Sequence, residues 1–424
     1  MVRNSKTVII GLDGVPFDLL NDLAESGVMP NTASLIAKGT FKKMQSSIPE
    51  VSSVAWSSII TGRNPAEHGI YGFMDLCPNS YKMRFPNYSD LKASPFWDQW
   101  QGKSVIINVP STYPVREMNG VHISGFVSID LQKSVYPSSL IPKLKELNYR
   151  LDVDSQKAHQ SMDDFLIDLD ETLDARIRTY QYIWDNEDWQ IFMLIFTGTD
   201  RLMHFLWEAY EDKNHKYYDA FLNHFRKIDK AIGEISDRLC EDDSLLILSD
   251  HGFERLDKEI YINFILQKEG FLKFSSSQER ILASIDYSTK AFALDPARIY
   301  INEKGKYPQG SVDKKDSQSV VKDLEALFST FEVDNNRAIR KVFRKEDIYS
   351  GPLSYEAPDL VLIGASHFDL KASVKAAQVS DKGIFSGKHV RDTAFLLVKD
   401  NCCENIVPEK PHVCDICKII ESIE

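Results

Sequence analysis

The sequence predicts an α/β fold in which helices cover both faces of a mainly parallel sheet. Continuous apolar runs recur along the chain, beginning with TVIIGLDG, and such runs are typical of strands buried on both faces. Amphipathic helical patterns such as DLLNDLAESG, which ends at Gly27, separate several of these runs. Strands that alternate with helices favour a parallel sheet.

The remaining elements follow the same rhythm. Further buried strands are predicted at KSVIINVP, WQIFMLIF, DSLLILSD, APDLVLIG and TAFLLVKD. The segment DAFLNHFRKIDKAIGEISDRL has the periodicity of a long amphipathic helix. The rhythm stops after His251 and resumes at APDLVLIG, and the intervening residues contain the polar, turn-rich stretches FSSSQER and NEKGKYPQGSVDKKDS. We therefore predict a discontinuous core of residues 1–255 and 355–424, with an inserted cap at 256–354.

The charge balance restricts the partners. Lys and Arg number 50 against 62 Asp and Glu, a formal net charge of −12, which argues against binding to a nucleic-acid polymer or an anionic membrane. A metal ion can still reverse the field inside one pocket, so a small anionic substrate remains compatible. No apolar run has the length of a membrane span, and the N-terminal apolar stretch is too short for a signal peptide. We expect a cytoplasmic location.

The cysteines are expected to be reduced. Cys402, Cys403, Cys414 and Cys417 cluster near the C-terminus and could be read as a zinc site. Cys402 and Cys403 are adjacent, however, and HVCDICKII has the pattern of an ordinary helix. We favour the helix over the metal site.

Carboxylate and imidazole side chains recur next to the predicted strands. They are Asp13, Asp200, His204, Asp250, His251 and His389. In a parallel sheet, ligands bind beyond the carboxyl ends of the strands. Asp200 and His204 are four residues apart and would share one helix face. Each residue alone could belong to a turn or be a satisfied core residue. Together, three carboxylates and three imidazoles suit two divalent cations of the zinc or manganese type.

A two-metal site also needs a nucleophile, and the hydroxyl-rich stretch SSIPEVSSVAWSSIITGRNPAEHGI precedes a helical pattern. A serine there would have its hydroxyl acidified by a metal, and a helix N-terminus would favour a phosphate. Chemistry alone leaves the choice open among Ser46, Ser47, Ser52, Ser53, Ser57 and Ser58. The other histidines, such as His159, His215 and His224, lie in largely polar stretches and are predicted to be on the surface.

These motifs carry a resemblance. GLDG at 11–14, PEVSSVAWSSIITGRNPAEHGIYGF at 49–73, FTGTDRLMHFLW at 196–207, SDHGF at 249–253 and SGKH at 386–389 together resemble the alkaline phosphatase superfamily. The nearest branch is the type I phosphodiesterase/nucleotide pyrophosphatase-like group of phosphohydrolases and phosphomutases. The resemblance extends over nearly the whole chain and implies an alkaline-phosphatase-like α/β fold.

The resemblance also implies roles for individual residues. The ligands of one metal would be Asp13, Ser52, Asp250 and His251, and those of the other would be Asp200, His204 and His389. The family's nucleophile lies four residues before the Trp of an Ala-Trp dipeptide, which makes Ser52 the expected nucleophile and Ser53 the alternative. Ala55 stands where nucleotide pyrophosphatases have an Asn, which disfavours a true nucleotide pyrophosphatase.

The implied activity is metal-dependent hydrolysis of a small-molecule phosphate monoester or diester through a phosphoseryl intermediate. Two divalent cations are expected, zinc first and manganese as the alternative. Lys388 and Arg201 are candidates for cations that face the phosphate, or for members of structural ion pairs. Two other functions stay open: a phosphomutase of the same superfamily, and a non-catalytic protein that binds a phosphorylated ligand.

Overall fold

The computed structural model describes residues 5–275, 279–399 and 406–423. The strands, in chain order, are β1 (Thr7–Leu12), β2 (Thr40–Met44), β3 (Asp75–Leu76), β4 (Met83–Arg84), β5 (Ser104–Val109), β6 (Gly120–Ser124), β7 (Val135–Tyr136), β8 (Ile191–Phe196), β9 (Ser244–Leu248), β10 (Gly252–Arg255), β11 (Lys258–Tyr261), β12 (Ala291–Leu294), β13 (Arg298–Ile301), β14 (Glu332–Val333), β15 (Asn336–Arg337), β16 (Ile339–Arg344), β17 (Leu360–Gly364), β18 (Phe368–Lys371), β19 (Ser380–Asp381), β20 (Gly387–Val390) and β21 (Ala394–Lys399). The α-helices are α1 (Phe17–Glu25), α2 (Pro30–Lys38), α3 (Ser52–Thr61), α4 (Pro65–His68), α5 (Ile141–Glu146), α6 (Met162–Asn186), α7 (Gly198–Glu211), α8 (Tyr218–Asp237), α9 (Ile262–Lys268), α10 (Ser317–Ser329), α11 (Lys345–Ile348) and α12 (Ile416–Ile423).

The chain divides into two compact units. Unit 1 comprises Met1–Arg63, Asn87–Phe253 and His389–Glu424, and unit 2 comprises Asn64–Pro86 and Glu254–Lys388. The chain therefore passes from one unit to the other at four points. The residues of the predicted cap, 256–354, belong to unit 2, and the cap itself stays a prediction about domain organisation.

Unit 1 is built on an eight-stranded sheet with the order β2-β21-β9-β1-β8-β5-β6-β7. The five strands from β9 to β6 are parallel, whereas β21, β2 and β7 run antiparallel to their neighbours. Every residue of β1, β5, β8 and β9 is buried, as the continuous apolar runs predict. The prediction of a mainly parallel sheet flanked by helices is confirmed.

The helices of unit 1 turn apolar faces inward. In α1, Leu19, Leu20 and Leu23 are buried, and Gly27 follows the helix with φ +77°. At the start of α2, the backbone N–H of Thr32 donates to the Asp229 carboxylate of α8 at 2.8 Å, which satisfies a donor that has no partner within its own helix. The Asp229 side chain of α8 thus caps the N-terminus of α2.

Unit 2 contains a separate antiparallel sheet with the order β12-β13-β17-β16. The predicted strand APDLVLIG forms β17 and pairs with β13 and β16 of this sheet. A three-stranded sheet has the order β18-β11-β19. Unit 2 has a hydrophobic core, to which helices α9 and α10 contribute Leu266, Leu324 and Phe328.

The C-terminal segment confirms the predicted helix. Cys417 lies in α12, and its thiol donates to the carbonyl of Ile59 at 3.1 Å. Cys414 lies in the preceding 3-10 turn, Val413–Asp415, and Cys402 and Cys403 lie outside the described residues. Within 5–275, 279–399 and 406–423, none of the helices combines the length and the apolar character that a membrane crossing requires.

Candidate active site

The candidate site lies where neighbouring strands of unit 1 end. Strand β1 is paired with β8 on one side and β9 on the other, in a register that aligns Leu12 with Phe196. Asp13 directly follows β1, and α7, which carries Asp200, begins two residues after the end of β8. Asp250 follows the end of β9. Three carboxylates therefore leave the sheet side by side, because parallel strands end at the same edge.

The first cluster joins Asp13, Ser52, Asp250 and His251. The Ser52 Oγ lies 3.2 Å from Asp13 Oδ1 and 3.1 Å from His251 Nε2. The same His251 Nε2 lies 3.4 Å from Asp250 Oδ2 and 3.8 Å from Asp13 Oδ1. All four residues are buried. The structure thus brings together the residues that the sequence predicted for one metal.

The first cluster has fewer donor hydrogens than acceptor atoms that need a partner. His251 Nδ1 lies 3.1 Å from the carbonyl oxygen of Gly252, which can only accept, so Nδ1 carries the proton and Nε2 has a free lone pair. The single Ser52 hydrogen can serve either Asp13 or His251, but not both. Asp250 Oδ2 is buried and has no hydrogen-bond partner among the described residues. A divalent cation would satisfy these lone pairs together, and the donor set fits one.

The second cluster joins Asp200, His204 and His389. The two imidazole Nε2 atoms lie 3.0 Å apart, and they are 3.5 Å (His204) and 3.1 Å (His389) from Asp200 Oδ1. His389 Nδ1 donates to the carbonyl oxygen of Glu50 at 3.0 Å, which leaves its Nε2 lone pair directed at the cluster. Ligand atoms around a tetrahedral zinc ion are roughly 3.3 Å apart. The spacing in both clusters is therefore compatible with bound cations.

The His251 ring links the two clusters. It stacks on the His389 ring with centroids 3.8 Å apart. The ligand atoms of Asp200, His251 and His389 lie close enough together to hold one ion, as do those of Asp13, Asp250 and His251. The two candidate metal positions are therefore adjacent, as a two-metal site requires.

Electrostatics support this interpretation. Burial, together with the charges of Asp250 and Asp200, raises the pKa of Asp13 well above its ordinary value. Burial also raises the pKa of Asp250 to about 7 and lowers that of His251. Burial alone would raise the pKa of Asp200, but His204, His389 and Arg201 hold it below its ordinary value. Buried carboxylates of this kind are costly unless cations compensate them.

Most of the chain matches one family profile. The sequence profile described as "Type I phosphodiesterase / nucleotide pyrophosphatase" matches residues 7–389. The chain belongs to the type I phosphodiesterase / nucleotide pyrophosphatase family. Membership in this family supports a hydrolase of the phosphoesterase kind. A search of the curated proteins gives no match.

Solved structures share the fold of this type I phosphodiesterase / nucleotide pyrophosphatase family member. Phosphonoacetate hydrolase from Sinorhizobium meliloti 1021, in complex with phosphonoformate, has a TM-score of 0.65 at 14% identity, over 99% of this chain and 96% of that chain. Human ectonucleotide pyrophosphatase / phosphodiesterase 5 has a TM-score of 0.58 at 13% identity, over 99% of this chain and 94% of that chain. An inactive variant of the murine protein, in complex with AMP, has a TM-score of 0.56 at 13% identity, with the same two coverages.

Three supporting contacts were not anticipated from the sequence of this family member. Trp56 Nε1 donates to Asp13 Oδ2 at 3.0 Å, and the Thr199 hydroxyl donates to the Asp13 carbonyl at 2.6 Å. The Gly14 N–H donates to Asp250 Oδ1 at 3.0 Å, and Gly14 has φ +74°, which favours glycine. The spacing of Ser52 and Trp56 is the one available signal, since residues four apart share a helix face.

The two candidate phosphate-facing cations are both in ion pairs. Arg201 donates to Asp200 at 2.7 Å and to Asp152 at 3.1 Å. Lys388, in unit 2, is buried, and its Nζ lies 3.2 Å from Glu254 Oε1. These contacts agree with the structural ion pairs that the sequence left open as the alternative.

Other serines and histidines that the sequence singled out have different surroundings. The Ser47 and Ser57 hydroxyls donate to main-chain carbonyls, and the Ser53 hydroxyl is buried without a partner among the described residues. The prediction that His224 lies on the surface is wrong. Its ring is buried, because it falls on the inward face of the amphipathic helix α8.

Proposed function

We propose that this chain is a two-metal phosphohydrolase that cleaves phosphate esters with Ser52 as the nucleophile. The observation that carries the proposal is the position of Ser52 Oγ between Asp13 Oδ1 and His251 Nε2, at 3.2 and 3.1 Å. Ser52 is also the first residue of α3, whose N-terminal N–H groups favour a phosphate. A hydroxyl so placed can transfer its proton and attack.

The proposed reaction consists of two displacements at phosphorus. Ser52 Oγ attacks phosphorus, the bond from phosphorus to the leaving oxygen breaks, and the leaving group departs as an alcohol carrying one proton. Water then attacks the phosphoseryl group, inorganic phosphate or a phosphate monoester leaves, and Ser52 regains its proton. One water is consumed for each ester cleaved. Asp13 and His251 flank the Ser52 hydroxyl at hydrogen-bonding distance, and either of them can accept its one hydrogen.

Two divalent cations would be held by the two clusters. Asp13, Ser52, Asp250 and His251 would bind one, and Asp200, His204 and His389 would bind the other. When bound, they would stabilise negative charge on the attacking and leaving oxygens and lower the pKa of a coordinated hydroxyl. Imidazole-rich ligand sets suit zinc, and carboxylates also accept manganese, so we propose zinc with manganese as the alternative.

The test is turnover of para-nitrophenyl phosphate and of bis(para-nitrophenyl) phosphate, each with zinc and with manganese. Wild-type protein should release nitrophenol from at least one of them. Ser52→Ala should lose on the order of 1,000-fold or more in kcat, because the nucleophile is gone. Ser53→Ala is the matched control and should keep its activity, since the Ser53 hydroxyl contacts neither cluster.

The outcomes distinguish the alternatives. Full activity in Ser52→Ala, with loss in Ser53→Ala, would move the nucleophile to Ser53. Phosphoryl transfer between two positions of one substrate, without net release of phosphate, would favour the phosphomutase. Two bound cations without turnover of any ester would favour the non-catalytic phospho-ligand binding protein. The cytoplasmic location and the exclusion of nucleic-acid polymers stay predictions from composition.

A phosphonate is the second candidate substrate class. The fold similarity to phosphonoacetate hydrolase covers 99% of this chain, with a TM-score of 0.65, against 0.58 for the human phosphodiesterase. Hydrolysis of a phosphonate needs the same attack on phosphorus, but it breaks a carbon–phosphorus bond, and the departing carbon takes up the proton that comes from the nucleophile. Phosphate release from phosphonoacetate in the same assay tests it, and silence there with ester turnover would exclude it.

A further inference from the structure

Arg201 joins two carboxylates at the edge of the second cluster. Its Nη1 donates to Asp200 Oδ2 at 2.7 Å, and its Nη2 lies 3.1 Å from Asp152 Oδ2. The guanidinium carbon lies 4.2 Å from the centre of the Phe126 ring. The side chains of Arg201 and Asp152 are only 16% and 19% exposed, so water screens this ion pair weakly. The guanidinium is therefore held on two sides by charge and on a third by an aromatic ring.

This arrangement assigns different tasks to the two oxygens of Asp200. Oδ2 accepts from Arg201, whereas Oδ1 faces His204 and His389 at 3.5 and 3.1 Å. A carboxylate whose outer oxygen is held in a hydrogen bond cannot rotate freely about its Cβ–Cγ bond. Only Oδ1 is then available to a cation, in a fixed direction.

Asp152 matters because of charge. A guanidinium that touched Asp200 alone would cancel its negative charge and repel a cation bound at Oδ1. Asp152 supplies a second negative charge, so the three groups together carry a net charge of −1. Asp200 keeps the charge that a metal ligand needs, while the hydrogen bond from Arg201 still orients it. The balance depends on a residue that is 48 positions from Asp200 in the sequence, between α5 and α6.

We infer that Asp152, acting through Arg201, is a positioning residue that maintains both the orientation and the charge of Asp200 as a metal ligand. This inference rests on the proposed two-metal site and adds a residue to it. Neither Asp152 nor Arg201 contacts the substrate in this role. The role also explains why Arg201, although adjacent to a metal ligand, is not free to bind the phosphate.

The test measures zinc affinity directly, by competition with a chromophoric chelator. An Asp250→Asn background weakens the first cluster, which loses one of its two carboxylates, so that the tighter zinc binding reports on the second cluster. In that background, Asp152→Asn should weaken zinc binding about tenfold or more, the usual effect of losing an outer partner of a ligand. Adding Arg201→Gln to Asp152→Asn should restore most of the affinity, because the uncompensated guanidinium is removed.

Asp168→Asn is the matched control. Asp168 is also a buried carboxylate in unit 1 that pairs with Arg150, at 2.7 Å, and Lys157, at 2.6 Å, but these cations do not contact Asp200. Its substitution should leave zinc affinity within about twofold of the background. Circular dichroism of each variant shows whether it is folded, and the rescue by Arg201→Gln cannot arise from a variant that is merely unfolded.

The results separate this inference from the proposed function. Wild-type protein that binds neither zinc nor manganese would overturn the proposed function, and this inference with it. If wild-type protein binds two zinc ions but Asp152→Asn leaves the zinc affinity of the Asp250→Asn background unchanged, the inference alone is overturned. A double variant that binds zinc no better than Asp152→Asn would also overturn it, because the charge argument requires rescue.

Discussion

His204 and His389 point their Nε2 atoms at each other across 3.0 Å, and both atoms lie within 3.5 Å of Asp200 Oδ1. The main-chain carbonyl of Glu50 holds the proton of His389 on Nδ1. The Nε2 lone pair of His389 therefore faces the other ring and the carboxylate. The His389 lone pair, the His204 Nε2 atom and a negative charge converge on one point, which a cation would occupy favourably.

His389→Ala should reduce the bound cations from two to one for each chain, because the second cluster loses a ligand while the first keeps all of its own. The measurement is metal content by mass spectrometry after dialysis against trace zinc. His159→Ala is the control, since His159 is exposed and contacts neither cluster. Retention of two cations in His389→Ala would contradict the assignment of His389 as a ligand.

Asp250→Asn should change stability in opposite directions with and without metal. In metal-free protein at pH 8 the substitution should stabilise the fold by about 1–3 kcal/mol, because it removes a buried carboxylate whose Oδ2 has no partner. The amide keeps an oxygen that can accept from the Gly14 N–H. With saturating zinc, the same variant should be less stable than wild type, since a charged ligand is lost.

Urea unfolding with chelator and with zinc measures both effects. Asp229→Asn is a suitable control, because Asp229 is a buried carboxylate of unit 1 that is fully engaged by Asn31 and Thr32. It should destabilise the protein under both conditions. A metal-free Asp250→Asn variant that is less stable than wild type would contradict the view that this cluster is strained without cations.

Trp56→Phe should lower kcat/KM about tenfold, because Asp13 Oδ2 loses its 3.0 Å donor and the carboxylate is less well oriented. The buried ring also becomes smaller, which should cost about 1–3 kcal/mol of stability. Trp189→Phe is the matched control, since Trp189 is equally buried but packs on Trp184 and Phe192. Trp189→Phe should lose stability without losing activity. If Trp56→Phe and Trp189→Phe lost activity to the same extent, the role of Trp56 would be contradicted.

Asp168→Asn should destabilise the protein at pH 7 by about 1–3 kcal/mol. Burial alone would raise the pKa of Asp168, but Lys157, the Asp154 N–H and Arg150 hold it below the ordinary 3.8. A lowered pKa means that the unfolded state binds the proton more readily, so this stabilisation is present above pH 3.8 and is lost as the pH falls through the folded-state pKa. The difference in free energy of unfolding between Asp168→Asn and wild type should therefore become smaller below pH 3.8.

Thermal or urea unfolding between pH 7 and pH 3 checks this prediction. Asp163→Asn is the comparison, because the pairing of Asp163 with Lys216 is solvent-exposed and should contribute little at any pH. If the difference in free energy of unfolding between Asp168→Asn and wild type stayed constant down to pH 3, the charge of Asp168 would not be the cause of the destabilisation.

Much of the fold was predictable because its signals are local. Apolar runs such as TVIIGL and IFMLIF are buried on both faces wherever they pair, so their identity as central strands follows from composition. The partner of a strand is not a local property. LVLIG has the same character, yet it pairs antiparallel with β13 and β16 in unit 2, and nothing within the segment distinguishes the two sheets.

His224 shows a second limit. Its neighbourhood is polar enough to suggest a surface position, but the helical period places it on the inward face of α8 with Phe221, Phe225 and Ile228. A window average of polarity loses this information, whereas the residue's angle around the helix retains it. The sequence contained this signal in the spacing of His224 from Phe221, Phe225 and Ile228.

The sequence by itself determined which chemical groups gather at the site. Asp13, Asp200 and Asp250 each follow a predicted buried strand, and parallel strands end at one edge, so their convergence needs no further information. The resemblance then supplied the expected pairing of ligands and the preference for Ser52. Both depend on residue identity and order along the chain.

Only the tertiary structure decided how those groups are oriented. Ser52 meets Asp13 and His251 across 39 and 199 residues of sequence, and the Glu50 carbonyl directs His389 across 339. The pairing of Asp152 with Arg201 is equally non-local. Hydrogen-bond direction and charge balance depend on distances of a few ångströms between distant segments, and no local pattern encodes them.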